Sequence, residues 1–278
     1  MHPEKLCLLC LVLNLLPLPA RAVSSAAYEQ QISSSLAQRV PVQEIVWLKA
    51  GGREFLSLYR KPAAGTVRGA AIIVHGMGGH ADWPEVIAPL RTRLPELGWT
   101  TLSLQMPLLP PGAPLADYGK TVQDSGYRIN AAIQYLEQQG YINIISIGYG
   151  FGGALIADYL AANPGNRIAA FVGISIQSHE FLNPRLKLLG DLAAIDIPVL
   201  DVYAGRDRGK VLRQTDDRRL AGSKNGKNSY DQVMIGDADR FYTRKEDVMI
   251  NRICGWLITK TPQGVVRVNS SNGENIKP

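Results

Sequence analysis

The chain has 278 residues, 46% hydrophobic and 19% charged, with 27 Gly, 17 Pro and a net charge of +6. That composition suits one α/β domain, or at most two small ones, and excludes collagen, coiled coils and a mostly disordered chain. Four His and three Cys argue against a metal centre or a disulfide scaffold, and the modest basic excess comes with no nucleic-acid-binding motif.

Lys5 precedes an apolar run from Leu6 to Leu18, and Ala20-Arg21-Ala22 supplies the small–x–small pattern of a cleavage site. This predicts a secretory signal over residues 1–22, with Val23 as the first mature residue and a periplasmic location. The run is interrupted by Asn14 and Pro17 and is short for a bilayer span, so no stable transmembrane segment is expected after removal. Cys7 and Cys10 fall inside the run and read as signal sequence, not as a redox or metal motif. Removal takes Glu4, Lys5 and Arg21, lowering the net charge by one to +5, and leaves His75, His80 and His179. One thiol remains, Cys254, in an apolar-periodic stretch that predicts a small core residue.

Residues 23–43 form an N-terminal segment, rich in Ser, Ala and Gln, that reads as loose chain or a short helix. Glu44–Leu48 and Glu54–Tyr59 flank Gly51-Gly52, the pattern of a hairpin. Ala70–Val74 is a continuous apolar run, as expected of a strand covered on both faces. Helical patterns at Pro84–Leu97, Leu115–Gln139, Gly152–Ala162 and Lys245–Thr259 then alternate with strand patterns. The strands are predicted at Trp99–Leu104, Ile142–Ile147, Ile168–Ile176, Val199–Tyr203 and Tyr230–Ile235. This rhythm implies a mostly parallel sheet with helices on both faces over residues 44–260. Residues 261–278 are polar and read as a disordered tail.

The stretch from Gly205 to Ser229 holds eight basic residues against three acidic ones, an excess equal to that of the whole mature chain. Such a run reads first as solvated helix faces and loops, and second as a basic patch for an anion. Three motifs surround it. Strand, His75-Gly76-Met77-Gly78-Gly79-His80 is the first, and strand, Gly148-Tyr149-Gly150-Phe151-Gly152-Gly153, helix is the second. The third is a pair of strand ends, Ala204-Gly205-Arg206-Asp207 and Gly236-Asp237-Ala238-Asp239-Arg240-Phe241.

In order and separation these motifs resemble the α/β-hydrolase superfamily, and more narrowly an uncharacterised group of bacterial secreted α/β-hydrolase-like proteins. The resemblance implies a three-layer α/β sandwich, with a mostly parallel sheet of about eight strands, an N-terminal hairpin and a minimal cap. It makes His75, Gly76, Met77 and Gly78, with Phe151 after the elbow, the oxyanion-loop-like residues. It places the nucleophile of G-x-S-x-G at Gly150, the acid at Asp207 and the terminal His at Arg240, in the family's chain order.

Two of the three chemistry-bearing positions therefore carry the wrong residue. Glycine offers no nucleophile, and arginine stays protonated and cannot take a proton near neutral pH. An Arg240–Asp207 ion pair is the expected replacement for the acid–His hydrogen bond. His179, beside Ser178 after the Ile168–Ile176 strand, is the one candidate for a displaced base. His80 reads as a solvent-facing loop residue, and Ser146 as packed or hydrogen-bonded within the sheet.

Gly148, Gly150 and Gly153 also satisfy G-x-G-x-x-G, the dinucleotide fingerprint. That fingerprint calls for an acidic residue about 20 positions on, and Ala169–Gln177 has none. The Phe181, Leu182, Leu186, Leu188 and Leu189 group in the short cap, roughly 177–195, reads as a small helix on the core or as a lining for an acyl chain. The sequence thus predicts a non-catalytic pseudo-hydrolase, with an esterase or acyl hydrolase of displaced apparatus as the alternative. The expected ligand is small and anionic or acyl, with no cofactor, metal or nucleic acid.

Overall fold

A computed structural model of the chain describes residues 25–63, 65, 67–224 and 230–262. The expected signal, the cleavage point at Val23, most of the tail and Lys227 of the basic stretch lie outside the described residues. In chain order the elements are α1 Ser25–Ala37, β1 Ile45–Ala50, β2 Arg53–Arg60, β3 Gly69–Val74, α2 Ile87–Arg93, β4 Trp99–Leu104, α3 Val122–Gln138 and β5 Ile144–Tyr149. They continue with α4 Phe151–Ala162, β6 Ile168–Ile174, α5 Leu188–Ala194, β7 Val199–Arg206, α6 Gly209–Arg213, α7 Thr215–Ser223, β8 Tyr230–Asp239 and α8 Glu246–Lys260.

The eight strands form one sheet in the order β1-β2-β4-β3-β5-β6-β7-β8. The hairpin β1–β2 and the β2–β4 pair are antiparallel, and every other pair is parallel. Gly51 and Gly52 turn the hairpin with φ of 56° and 78°, the positive pair that a two-residue turn between twisted strands requires. β3 is buried at every residue. Its Ala70, Ile72 and Val74 join α3, α4 and α5 in one core, while Ala71 and Ile73 face α2 and α8 in another. That split explains why the strand shows no apolar–polar alternation: neither face meets water.

The N-terminal segment is a helix. Leu36 of α1 packs with Leu56, Leu58 and Ala81, and Glu29 takes a salt bridge of 2.7 Å from Arg128 of α3. The predicted helix at Pro84–Leu97 is α2 followed by a 3₁₀ turn at Leu94–Leu97, where Pro95 removes a backbone donor. The one at Leu115–Gln139 likewise opens as 3₁₀ over Leu115–Thr121. No described helix is long and apolar enough to cross a membrane.

The basic stretch is mostly exposed, but Arg218 of α7 is fully buried. Its Nε donates to Asp201 Oδ2 at 2.7 Å and its Nη1 to the Val211 carbonyl at 2.8 Å. Tyr230 Oη and Gln232 Nε2 donate to the same Asp201 oxygen, each at 2.9 Å. The network ties α7 to the β7–β8 edge, so at this position the solvated reading of the charge run is corrected. Ser146 is packed in the sheet, as one of its two expected readings has it, with its hydroxyl unpartnered. Cys254 is a buried core residue of α8, and burial pushes its thiol up to about 12.

Candidate functional site

β5 passes into α4 through one residue, Gly150, at φ 54° and ψ −113°. This conformation comes easily only to glycine. The neighbouring glycines answer to close packing instead. A Cβ on Gly148 would stand 2.5 Å from the Gly153 Cα, and one on Gly152 would stand 2.4 Å from the Val74 and His75 carbonyl oxygens. The glycine spacing is thus needed to seat α4 against β3 and β5, with no dinucleotide required. A Cβ on Gly150, by contrast, would meet nothing within 4 Å.

That open space belongs to a cavity of about 380 Å³ at the carboxyl ends of the parallel strands. Gly76–Gly78, Tyr149–Phe151, Ser175, His179, Asp207, Arg208 and Arg240 line it, so the oxyanion-like loop, the elbow and both later positions come together. This is the side of an open α/β sheet where ligands bind. Leu115 and Phe181 also line the cavity and remain exposed, while Leu182, Leu186 and Leu188 are buried in the core. The cap is therefore divided, with one aromatic at the cavity and the leucines beneath it.

Asp207 forms no ion pair with Arg240. Its Oδ2 accepts from Ser175 Oγ at 2.6 Å and from the Ala204 amide at 3.1 Å, and its Oδ1 accepts from the Arg208 amide at 2.7 Å. Ser175 has one proton and gives it to the carboxylate, so Tyr242 Oη, 3.0 Å away, donates to Ser175. Burial raises the Tyr242 phenol well above its usual range and keeps it a donor. Arg240 stacks on its neighbour Phe241, with its guanidinium carbon 4.2 Å from the ring centroid. Its carbonyl accepts from Tyr149 Oη at 3.0 Å. The expected Arg240–Asp207 ion pair is corrected: a serine and backbone amides satisfy the acid, and the arginine lies in the cavity wall.

None of the described histidines bonds to Asp207. His75 is 2% exposed, and its Nδ1–H donates to the Gly76 carbonyl at 2.8 Å. Its Nε2 accepts from the Met106 amide at 3.0 Å, which fixes the neutral tautomer and orients the loop. Burial pushes this imidazole down to about 4. His80 is half-buried, against the expectation of a solvent-facing residue: its Nδ1 accepts from the Asp82 amide at 3.2 Å and its ring meets Trp83 edge-on. His179 is 6% exposed and sits edge-on between Phe151 and Phe181, at 5.5 and 5.7 Å. Its Nδ1 lacks a well-formed partner, the Gln177 backbone being only a weak influence. Burial, followed by the charge of Lys210, pushes it down to about 4. No hydroxyl is hydrogen-bonded to it among the described residues, so His179 lines the cavity without being coupled to a nucleophile.

An imidazole kept neutral by burial contributes its full stability above the unfolded value of about 6.5 and loses it as pH falls toward the folded one. Through His75 alone the protein should be about 2 kcal/mol less stable at pH 5 than at pH 7. Urea titrations at the two pH values check this. The difference should shrink in His75→Gln, and an equal difference in that variant would assign the effect elsewhere.

Sequence reasoning missed Ser175 and Tyr242. Ser175 follows β6 at φ 51°, beside β7, and only strand order could have brought it to Asp207.

The family model described as "Protein of unknown function (DUF3530)" matches residues 13–125 and 113–259. No curated protein matches the chain. Among solved structures, the chain is similar to Est1E from Butyrivibrio proteoclasticus, with TM-score 0.63 and 15% identity, covering 78% of this chain and 98% of that one. A dienelactone hydrolase from Anabaena variabilis gives TM-score 0.64 and 16% identity, covering 78% and 97%. XC6422 from Xanthomonas campestris, described as an α/β serine hydrolase without lid, gives 0.59 and 15%, covering 78% and 94%. At these identities the likeness shows the fold, which is that of the α/β-hydrolases.

Proposed function

The chain belongs to the DUF3530 family of proteins of unknown function, and from that premise we propose that it is a pseudo-hydrolase. In this reading it binds a small anionic or acyl ligand in the cavity where a hydrolase would hold its substrate, and does not cleave it. One observation carries the proposal: the elbow keeps a positive-φ turn onto an open cavity while the residue there, Gly150, has no side chain. The surroundings agree with it. Asp207 is occupied by Ser175 where an imidazole would be needed. Ser175 itself faces a carboxylate, a poor base for a hydroxyl near neutral pH. The apolar run and Ala20-Arg21-Ala22 support a mature chain that begins at Val23 and works in the periplasm.

A fluorophosphonate probe tests the proposal. The purified mature protein should show no labelled serine, and a short-chain nitrophenyl ester should turn over no faster than in buffer. Stoichiometric labelling of any serine overturns the reading. Turnover that survives purification and is lost in His179→Ala would favour the displaced-base enzyme.

A further inference from the structure

Resting on that ligand-binding reading, we propose that the cavity takes a monocarboxylate with a short apolar tail, its head at the elbow between Arg208 and Arg240, in preference to the neutral ester of the same acid. The cavity floor is the start of α4, a helix of 12 residues with no capping side chain. Its first amides carry partial positive charge and face no Cβ at Gly150.

The walls add whole charges. Arg208 and Arg240 both line the cavity, and neither forms an ion pair among the described residues. The carboxylate in the lining, Asp207, already has both oxygens engaged by Ser175 and by backbone amides. The lining therefore carries a net positive charge with two guanidinium groups to spare. His179 lines the same cavity with its ring, edge-on to Phe151 and Phe181, while its Nδ1 is buried within the protein.

The mouth is different in character. Leu115 is 59% exposed and Phe181 46% exposed, and both belong to the lining. Large apolar side chains left in water beside a polar floor suit a ligand that is charged at one end and apolar at the other. A free phosphate would meet the floor and leave the mouth bare. An ester would cover the mouth but leave both arginines without an anion. The cavity of about 380 Å³ is small, which limits the tail to a short acyl or aryl group.

Calorimetric titration of the mature protein with hexanoate, 3-phenylpropionate, methyl hexanoate and inorganic phosphate tests this. A charge-assisted hydrogen bond contributes enough that at least one carboxylate should bind about tenfold or more tightly than methyl hexanoate or phosphate. Which carboxylate wins separates an acyl from an aryl tail. The preference over the ester should fall toward unity in Arg208→Gln/Arg240→Gln, and added salt should weaken the carboxylate but not the ester. Equal binding of acid and ester by the wild type overturns the inference, as does equal binding of phosphate or no binding of either carboxylate. Hydrolysis of the methyl ester is a separate outcome. It overturns the non-catalytic reading, while a retained preference for the acid would still uphold the carboxylate site.

Discussion

Replacing Arg218 by methionine is expected to lower the free energy of unfolding by about 3–5 kcal/mol. Asp201 and Arg218 are both fully buried, and the arginine fills its site with hydrogen bonds to Asp201 and the Val211 carbonyl. Removing the cation leaves a carboxylate in a dry layer, with Tyr230 and Gln232 as its remaining side-chain donors. The cost comes mainly from that stranded charge, and the missing hydrogen bonds add less. Arg218→Met/Asp201→Leu should therefore recover part of the stability, but not all, because Tyr230 and Gln232 then have no shared acceptor. Urea unfolding of the wild type, the single and the double variants reads all three. A single-variant effect below about 1 kcal/mol would show that the pair does not hold α7 to the sheet.

Gly152→Ala is expected to be worse for folding than Gly150→Ala, although the two positions are close in the chain. At Gly152 the new methyl would press on the Val74 and His75 carbonyl oxygens, backbone atoms of a central strand and its loop. They cannot swing aside as a side chain would, so a destabilisation above about 3 kcal/mol or failure to fold is expected. At Gly150 the methyl enters the cavity and meets nothing. Only the positive-φ backbone resists it, at about 1–3 kcal/mol. Thermal and urea unfolding of the two variants check the ranking. Equal destabilisation would mean that space and backbone conformation are not separable at this turn.

The sequence made the scaffold legible because its signals are local. The Gly51-Gly52 hairpin, the all-apolar β3 and the glycines around the elbow each report a constraint acting within a few residues. The same holds for the placing of Gly150, Asp207 and Arg240, which follows from strand ends. What escaped was the pairing between those ends. Ser175 carries no mark of its own, and it reaches Asp207 because β6 lies beside β7. Arg240 was expected on Asp207 by analogy with an acid–His hydrogen bond, but Phe241 and the cavity offer its guanidinium another place. Arg218 was hidden for a related reason. A basic run is usually solvated, and only the packing of α7 singles out Arg218 as its buried basic residue.

Gly150 also bears on which way this chain can change. A serine at φ 54° and ψ −113° must carry a backbone strain of about 1–3 kcal/mol. With glycine there, that reserve is free to be consumed by mildly destabilising substitutions elsewhere. Each one consumed makes a serine harder to admit at this turn, because the side chain would bring its strain with no compensating contact in the open cavity. A relaxed turn is thus easily kept, and the room for a strained one narrows with every change the fold absorbs.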